Sequence, residues 1–208
     1  MSLLVCVLAA LAQDPAGAAA SVATPVGGKG AVILANPSPG YTALGTAVQP
    51  EGKGGVSSGY LVRLEADTPV YRAWNGPDNK DGNGRTNQFG GWWSFDAPSG
   101  TSAAYRTAYE ICTDWNDLTW VVKCTAPAGT LVVMGPGNSV AAGACANPEE
   151  SYPENDANWQ VYIAQSWTVV QCPEGPTPGA YYQVDPNDMS KPLPPPVPVT
   201  KKKAKKWK

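Results

Sequence analysis

The sequence predicts an α+β fold dominated by strands: a compact split β-sheet domain with one main helix, braced by two disulfides. Three observations carry this expectation. Gly (22) and Pro (21) make up about a fifth of the 208 residues, a composition that favours turns and short strands over long helices. The apolar residues come mainly as Val, Ala, Trp and Tyr in short runs, several alternating with polar residues as half-buried strands do. Beyond the amino-terminal apolar stretch the chain holds Cys112, Cys124, Cys145 and Cys172, an even set without a Cys-x-x-Cys pair, which reads as two disulfides in an oxidising compartment.

Taken in order, residues 3–11 are an apolar run, and Ala10-Leu-Ala12 before Gln13 has the small-x-small form of a cleavage site. Residues 1–12 therefore read as an export signal, although Met1-Ser2 carries no basic side chain. A buried strand or a misplaced start codon is the alternative, since the run is too short to span a bilayer. Residues 13–58 read as a low-complexity, partly ordered segment: Ala/Gly/Ser-rich to about residue 29, with the lone apolar run Ala31-Val-Ile-Leu34 as one strand. That segment is either an added edge strand or propeptide-like.

The functional domain is expected over residues 59–185. Tyr60-Leu-Val-Arg-Leu64 and Thr68-Pro-Val-Tyr-Arg-Ala-Trp74 alternate as strands. The polar stretch Asp78-Asn-Lys-Asp-Gly-Asn-Gly84 resembles a calcium loop but lacks the twelve-residue pattern and its closing Glu, so it is read as a solvated turn. Gly90-Gly91 lead into Trp92-Trp-Ser-Phe95, and Pro98-Ser-Gly-Thr-Ser102 caps a helix of about three turns running to Ile111. Residues 118–124 and 130–134 read as a hairpin across Ala126-Pro-Ala-Gly129, and 159–163 and 167–172 as the last two strands. The tail, 186–208, is Pro-rich and then Lys-rich. Net charge is −2, and six lysines fall in the last eight residues, so the chain before them carries −8. Such an end either contacts an anionic surface (membrane, cell-wall polymer or nucleic acid, the last without specificity) or is a solvated tail.

The chain has no histidine, which excludes Ser-His-Asp triads, Cys-His dyads and His-ligated zinc. Of the three possible disulfide connectivities, Cys112–Cys124 with Cys145–Cys172 closes the shortest loops. A four-thiolate zinc site is the alternative, but the spacings of 11, 20 and 26 intervening residues match no usual finger. No metal site is therefore expected.

The order Thr68-Pro-Val-Tyr-Arg-Ala-Trp74, Gly90-Gly-Trp-Trp-Ser-Phe95, Pro98-Ser-Gly-Thr101, Pro127-Ala-Gly-Thr-Leu-Val-Val-Met-Gly135, Trp159-Gln-Val-Tyr-Ile163 resembles the ADP-ribosyltransferase-like superfamily. Within it, the chain looks most like the NAD glycohydrolase domains of secreted bacterial necrotising toxins. The resemblance covers residues 60–170 and implies NAD as substrate, with no resident cofactor, and a cognate immunity protein as partner. It implies catalytic roles for Arg72, gripping pyrophosphate, and Gln160, bonding the ribose hydroxyls, with Arg106 as a reserve phosphate ligand. Trp92 and Trp93 would stack on nicotinamide and Ser94 would meet its carboxamide. Two departures are visible: Asn158-Trp159 stands where the family has Gly-Gly, and no acidic residue lies at or two positions before Gln160. The second favours hydrolysis of NAD over transfer to a protein.

Plainer roles compete. Arg72 can pair with Asp67, Asp96 or Glu110, one of the two tryptophans must pack inward, and Gln160 has the alternation of an exposed strand face. At the level of function, the alternative is a secreted, non-catalytic, aromatic-rich binding module for glycan or another cell-surface ligand. Glycoside hydrolysis using two of Glu110, Asp114, Asp117 and Glu149, or a surface structural role, are further classes.

Overall fold

The computed structural model describes residues 31–33 and 43–194. The predicted export signal and the lysine-rich end lie outside the described residues. Among the described residues nine strands form, all paired antiparallel: β1 Ala31–Ile33, β2 Tyr60–Leu64, β3 Thr68–Trp74, β4 Trp92–Trp93, β5 Trp120–Ala126, β6 Leu131–Gly137, β7 Asn155–Tyr162, β8 Tyr181–Asp185 and β9 Asp188–Pro192. They form a five-stranded sheet in the order β1-β2-β6-β7-β4 and a four-stranded sheet in the order β3-β5-β8-β9. The strand-dominated split-sheet architecture with few helices and two disulfides is thus present.

The two sheets face each other. Val62, Met134, Val161 and Trp93 from the first meet Val70, Trp74, Val122 and Tyr181 from the second in one buried cluster. The sheets also touch edge to edge: Tyr71 and Ser94 exchange backbone bonds of 2.8 and 2.9 Å, stitching β3 to the end of β4. This seam is where the site forms. Outer faces are covered by short helices. α1, Ala43–Ala47, lays Ala43 and Ala47 on Leu61 and Val133, and α2, Ser102–Ala108, lays Tyr105 on Ala73 and Val121. Residues 43–58 therefore pack against the first sheet, and β1 is its edge strand, so the ordered body begins before residue 59.

Several expectations are corrected. The disulfides are Cys112–Cys145, which joins two loops, and Cys124–Cys172, which sits beside the Thr125–Gln171 backbone pairing. Tertiary placement rather than loop length sets the pairing, and the two bridges occupy all four of these thiols. The expected hairpin of 118–124 with 130–134 does not form. β5 pairs with β3 and β8, while β6 pairs with β2 and β7, so the Pro127–Gly129 turn carries the chain from one sheet to the other. The β2–β3 connection switches sheets beside it, and Ala128 N–H donates to Asp67 at 2.9 Å to join the two crossovers. The main helix has two turns, not three, capped by Thr101 Oγ1 accepting from Ala104 N–H at 3.1 Å. Residues 167–172 are not a strand: α3, Ser166–Val169, takes their place, with Trp167 64% exposed. β8 and β9 extend the body to Pro192, into the segment assigned to the tail, because Met189 is fully buried against the second sheet.

Candidate functional site

Alternation along β3 places Arg72 on the same face as Val70 and Trp74, the face turned to the other sheet, and opposite Val122. A cation there breaks the apolar pattern and has to be satisfied. Its Nε donates to Asn87 O at 2.9 Å and its Nη1 to Trp92 O at 2.5 Å, tying the 87–92 segment to the seam. It pairs with none of Asp67, Asp96 or Glu110; the two ion pairs among the described residues are the exposed Asp81–Arg85 and Asp188–Lys191. Gly90 makes the approach possible, since a Cβ there would stand 2.1 Å from Nη2. Burial lowers the guanidinium pKa to about 10, which leaves it charged at neutral pH.

In the other sheet Gln160 sits opposite Gly135, on the outer face of β7. It is buried rather than solvent-facing, because the end of α2 closes over it. Its Nε2 donates to Tyr109 O at 3.0 Å and to Glu110 Oε2 at 2.8 Å. Both amide hydrogens are thereby committed to acceptors, and Oε1 is left as the uncommitted atom of the side chain.

Glu110 is the residue that the sequence reading did not place in the site. It is 2% exposed, its Oε1 has no partner, and its backbone is left-handed at φ +49°. A non-glycine residue held there is a strained one. Gly137 gives its carboxyl room, for a Cβ would lie 2.0 Å from Oε2. Burial, reinforced by the negative charge of Glu154 and opposed by the Gln160 bond, raises the carboxyl pKa to about 8.

These groups line one cavity of about 150 Å³. Arg72, Trp92, Trp93 and Gln160 meet there with Tyr105, Tyr109, Glu110 and Asn116, and Trp115, 43% exposed, stands among the lining residues. A space of that size holds a single aromatic ring. Trp93 is buried in the sandwich core, whereas Trp92 is half-buried, edge-on to Tyr162 with ring centroids 5.1 Å apart. The rings of Tyr105 and Tyr109 lie 4.5 Å apart, and burial raises both phenol pKa values.

Two other predicted residues fall elsewhere. Ser94 is buried, with its hydroxyl donating to Asp96 O at 2.8 Å and meeting Tyr105, so it supports the wall rather than lining the space. Arg106 is not available as a phosphate ligand. Its guanidinium bonds Ile111 O, Cys112 O and Asn116 O at 3.0, 2.9 and 2.8 Å. Together with the Cys112–Cys145 bridge and the Asn116 Nδ2 bond to Ala73 O, it braces the loop that carries Glu110. No protein-family model, curated protein or solved structure matches the chain. The site therefore has to be read from its own chemistry.

A second space, about 540 Å³, lies on the surface between Asp81, Arg85, Asn87, Phe89 and Trp167. It shares Asn87 and Gly90 with the support of Arg72, and Ser166 Oγ donates to Phe89 O and Gly90 O to hold α3 against the same segment.

Proposed function

We propose that this protein is an exported, toxin-like NAD-consuming enzyme that hydrolyses the bond between nicotinamide and ribose. The observation that carries the reading is the convergence of Arg72, Trp92 and Gln160, drawn from three strands, on one single-ring cavity. In this reading the nicotinamide ring enters the cavity against Trp92, and the remainder of the dinucleotide lies outside its mouth. Gln160 supports the assignment by polarity: with both amide hydrogens committed, its Oε1 accepts from a ribose hydroxyl and stabilises the cationic sugar as it forms. Arg72 brings a full positive charge to the cavity wall for the phosphates, while its Nε and Nη1 stay on the backbone and Nη2 lies over Gly90.

In the step itself the C1′–N bond breaks and its electron pair returns to the ring nitrogen, which loses its positive charge. Water adds to C1′ and gives up a proton. The two disulfides fit the oxidising compartment of an exported protein, and no described helix is long and apolar enough to cross a membrane. An immunity protein would be the cognate partner, and the lysine-rich end a contact for an anionic surface.

Incubating the full chain with etheno-NAD tests the reading. Fluorescence should rise, and Gln160→Ala or Arg72→Ala should lower the rate by about 10² or more, the range seen when one transition-state hydrogen bond is removed. A folded protein that gives no rise at high concentration argues for the second reading, a passive glycan-binding module. That reading has its own support in Trp167 and Phe89, exposed beside Asp81, Arg85 and Asn87 around the larger surface space, an arrangement suited to stacking a sugar and bonding its hydroxyls.

A further inference from the structure

Gln160 can serve as an acceptor only if its amide is prevented from flipping, and the structure contains a device for that. Tyr109 O is a carbonyl and accepts only, so the nitrogen side of the amide must face it, at 3.0 Å. The second hydrogen is taken by Glu110 Oε2 at 2.8 Å. Neither contact comes from the sheet that carries Gln160. Both come from the residues that follow α2, where the chain turns left-handed at Glu110. Considerable structure is spent on that turn: Gly137 leaves the void for the carboxyl, Arg106 and the Cys112–Cys145 bridge brace the following loop, and Asn155 Nδ2 holds Ala108 O at 3.0 Å. Buried Oε1 of Glu110 bonds nothing, so the one side-chain hydrogen bond the carboxyl makes is the one to Gln160.

We propose that Glu110 is the positioning residue of the site, taking one amide hydrogen of Gln160 so that, with Tyr109 O taking the other, Oε1 of Gln160 is fixed toward the cavity as an acceptor. Its catalytic consequence rests on the NAD-hydrolase reading above; its structural content does not. The titratable and charged groups around Glu110 are Tyr109 beside it, Tyr105 and Arg72 on the cavity wall, and Glu154 ahead of β7, whose charge opposes ionisation of the carboxyl. Ionisation of Glu110, centred near pH 8, changes the charge of the atom that Gln160 bonds. The amide of Gln160 should report that event.

The experiment is a pH titration of the ¹⁵N-labelled full chain by NMR, following the side-chain amide of Gln160, identified by its loss in Gln160→Ala. In the wild type its two hydrogens should be slow to exchange and should shift with a midpoint near 8. Glu110→Gln, which keeps an acceptor, should retain slow exchange and lose the shift, whereas Glu110→Ala should bring exchange to the rate of an exposed amide. In the etheno-NAD assay Glu110→Ala should fall about as far as Gln160→Ala, and Glu110→Gln should recover most of that loss with no inflection near pH 8. A wild-type Gln160 amide that exchanges as fast as an exposed one overturns the proposal, and so does a pH-dependent shift that persists in Glu110→Gln. Should Glu110→Ala fail to fold, the Glu110→Gln titration decides alone. Absence of hydrolysis by the wild type defeats the NAD reading while the NMR result still decides the role of Glu110.

Discussion

Between the two sheets, Val62, Val70, Val122, Val132 and Val161 are fully buried without a polar side-chain atom among them. A few residues away, the seam closed by α2 holds a half-buried arginine, a buried acid and a buried amide. The first region follows the ordinary rule that apolar surface is removed from water, its polar exceptions being the unpartnered indole nitrogens of Trp74 and Trp93. The second breaks it with a partly desolvated guanidinium and a carboxyl oxygen without a partner, and adds a left-handed non-glycine backbone, each at a cost in stability. Departures of this kind, held in place by Gly90, Gly137, Arg106 and a disulfide, are what functional sites impose on a fold. The apolar interior makes the body; the seam is where chemistry can be sought.

The largest effect should come from the interior. Trp74 is fully buried, with its ring 5.6 Å from that of Tyr181 and 6.5 Å from that of Trp120. Trp74→Ala should cost about 3–5 kcal/mol, read as a lower urea midpoint with the disulfides intact. A loss below about 1 kcal/mol would mean that the sandwich interior can collapse around the gap, and the contrast between the two regions would fail.

Next comes the pH dependence of the seam. Glu110 has a folded-state pKa of about 8, above its ordinary value of 4.5, so the folded protein holds a proton that the unfolded chain releases. Its contribution to stability is complete below pH 4.5 and is lost as pH rises to about 8. Glu110→Gln should therefore flatten the alkaline decline of Tm, gaining on the order of a few kcal/mol over the wild type at pH 9 and little at pH 4. If the two proteins lose stability in parallel from pH 5 to 9, the carboxyl is solvated in solution and the seam is less costly than described.

Much of this division was legible in the sequence, for reasons that can be stated residue by residue. Alternation in Tyr60–Leu64, Thr68–Trp74 and Trp159–Ile163 gave strands, because a period of two has one physical meaning. Arg72, Trp92 and Gln160, which the resemblance singled out, line one cavity, but alternation along the strand read Gln160 as solvent-facing, and only the end of α2 buries it. What could not be read were facts that depend on which strand meets which. Residues 118–124 and 130–134 looked like partners across a turn, yet the turn switches sheets, and the shortest-loop disulfide pairing gave way to bridges between segments distant in sequence. The run Trp167-Thr-Val-Val170 carries strand-forming residues, but Gln165 turns left-handed at φ +50° and α3 begins. Glu110 was visible only as one acid among several. Its importance comes from a left-handed turn and from a glycine 27 positions later, and no local pattern announces either. Arg106 looked like a spare cation because its three carbonyl partners lie in a loop without periodicity.

The smallest effect on stability should come from Trp167, and it tells most about function. Its side chain is 64% exposed on α3, so Trp167→Ala should change the unfolding free energy by no more than about 0.5 kcal/mol. An exposed tryptophan contributes so little to the fold that any function it has must come from contact with something else. If the seam is the working site, Trp167→Ala should leave etheno-NAD turnover unchanged while Gln160→Ala removes it. If instead the protein is a glycan-binding module, Trp167→Ala should abolish retention on a soluble polysaccharide in an affinity gel, and Gln160→Ala should leave retention intact. The two substitutions together assign the function to one face of the 87–90 segment or the other, because that segment holds Arg72 on one side and α3 on the other.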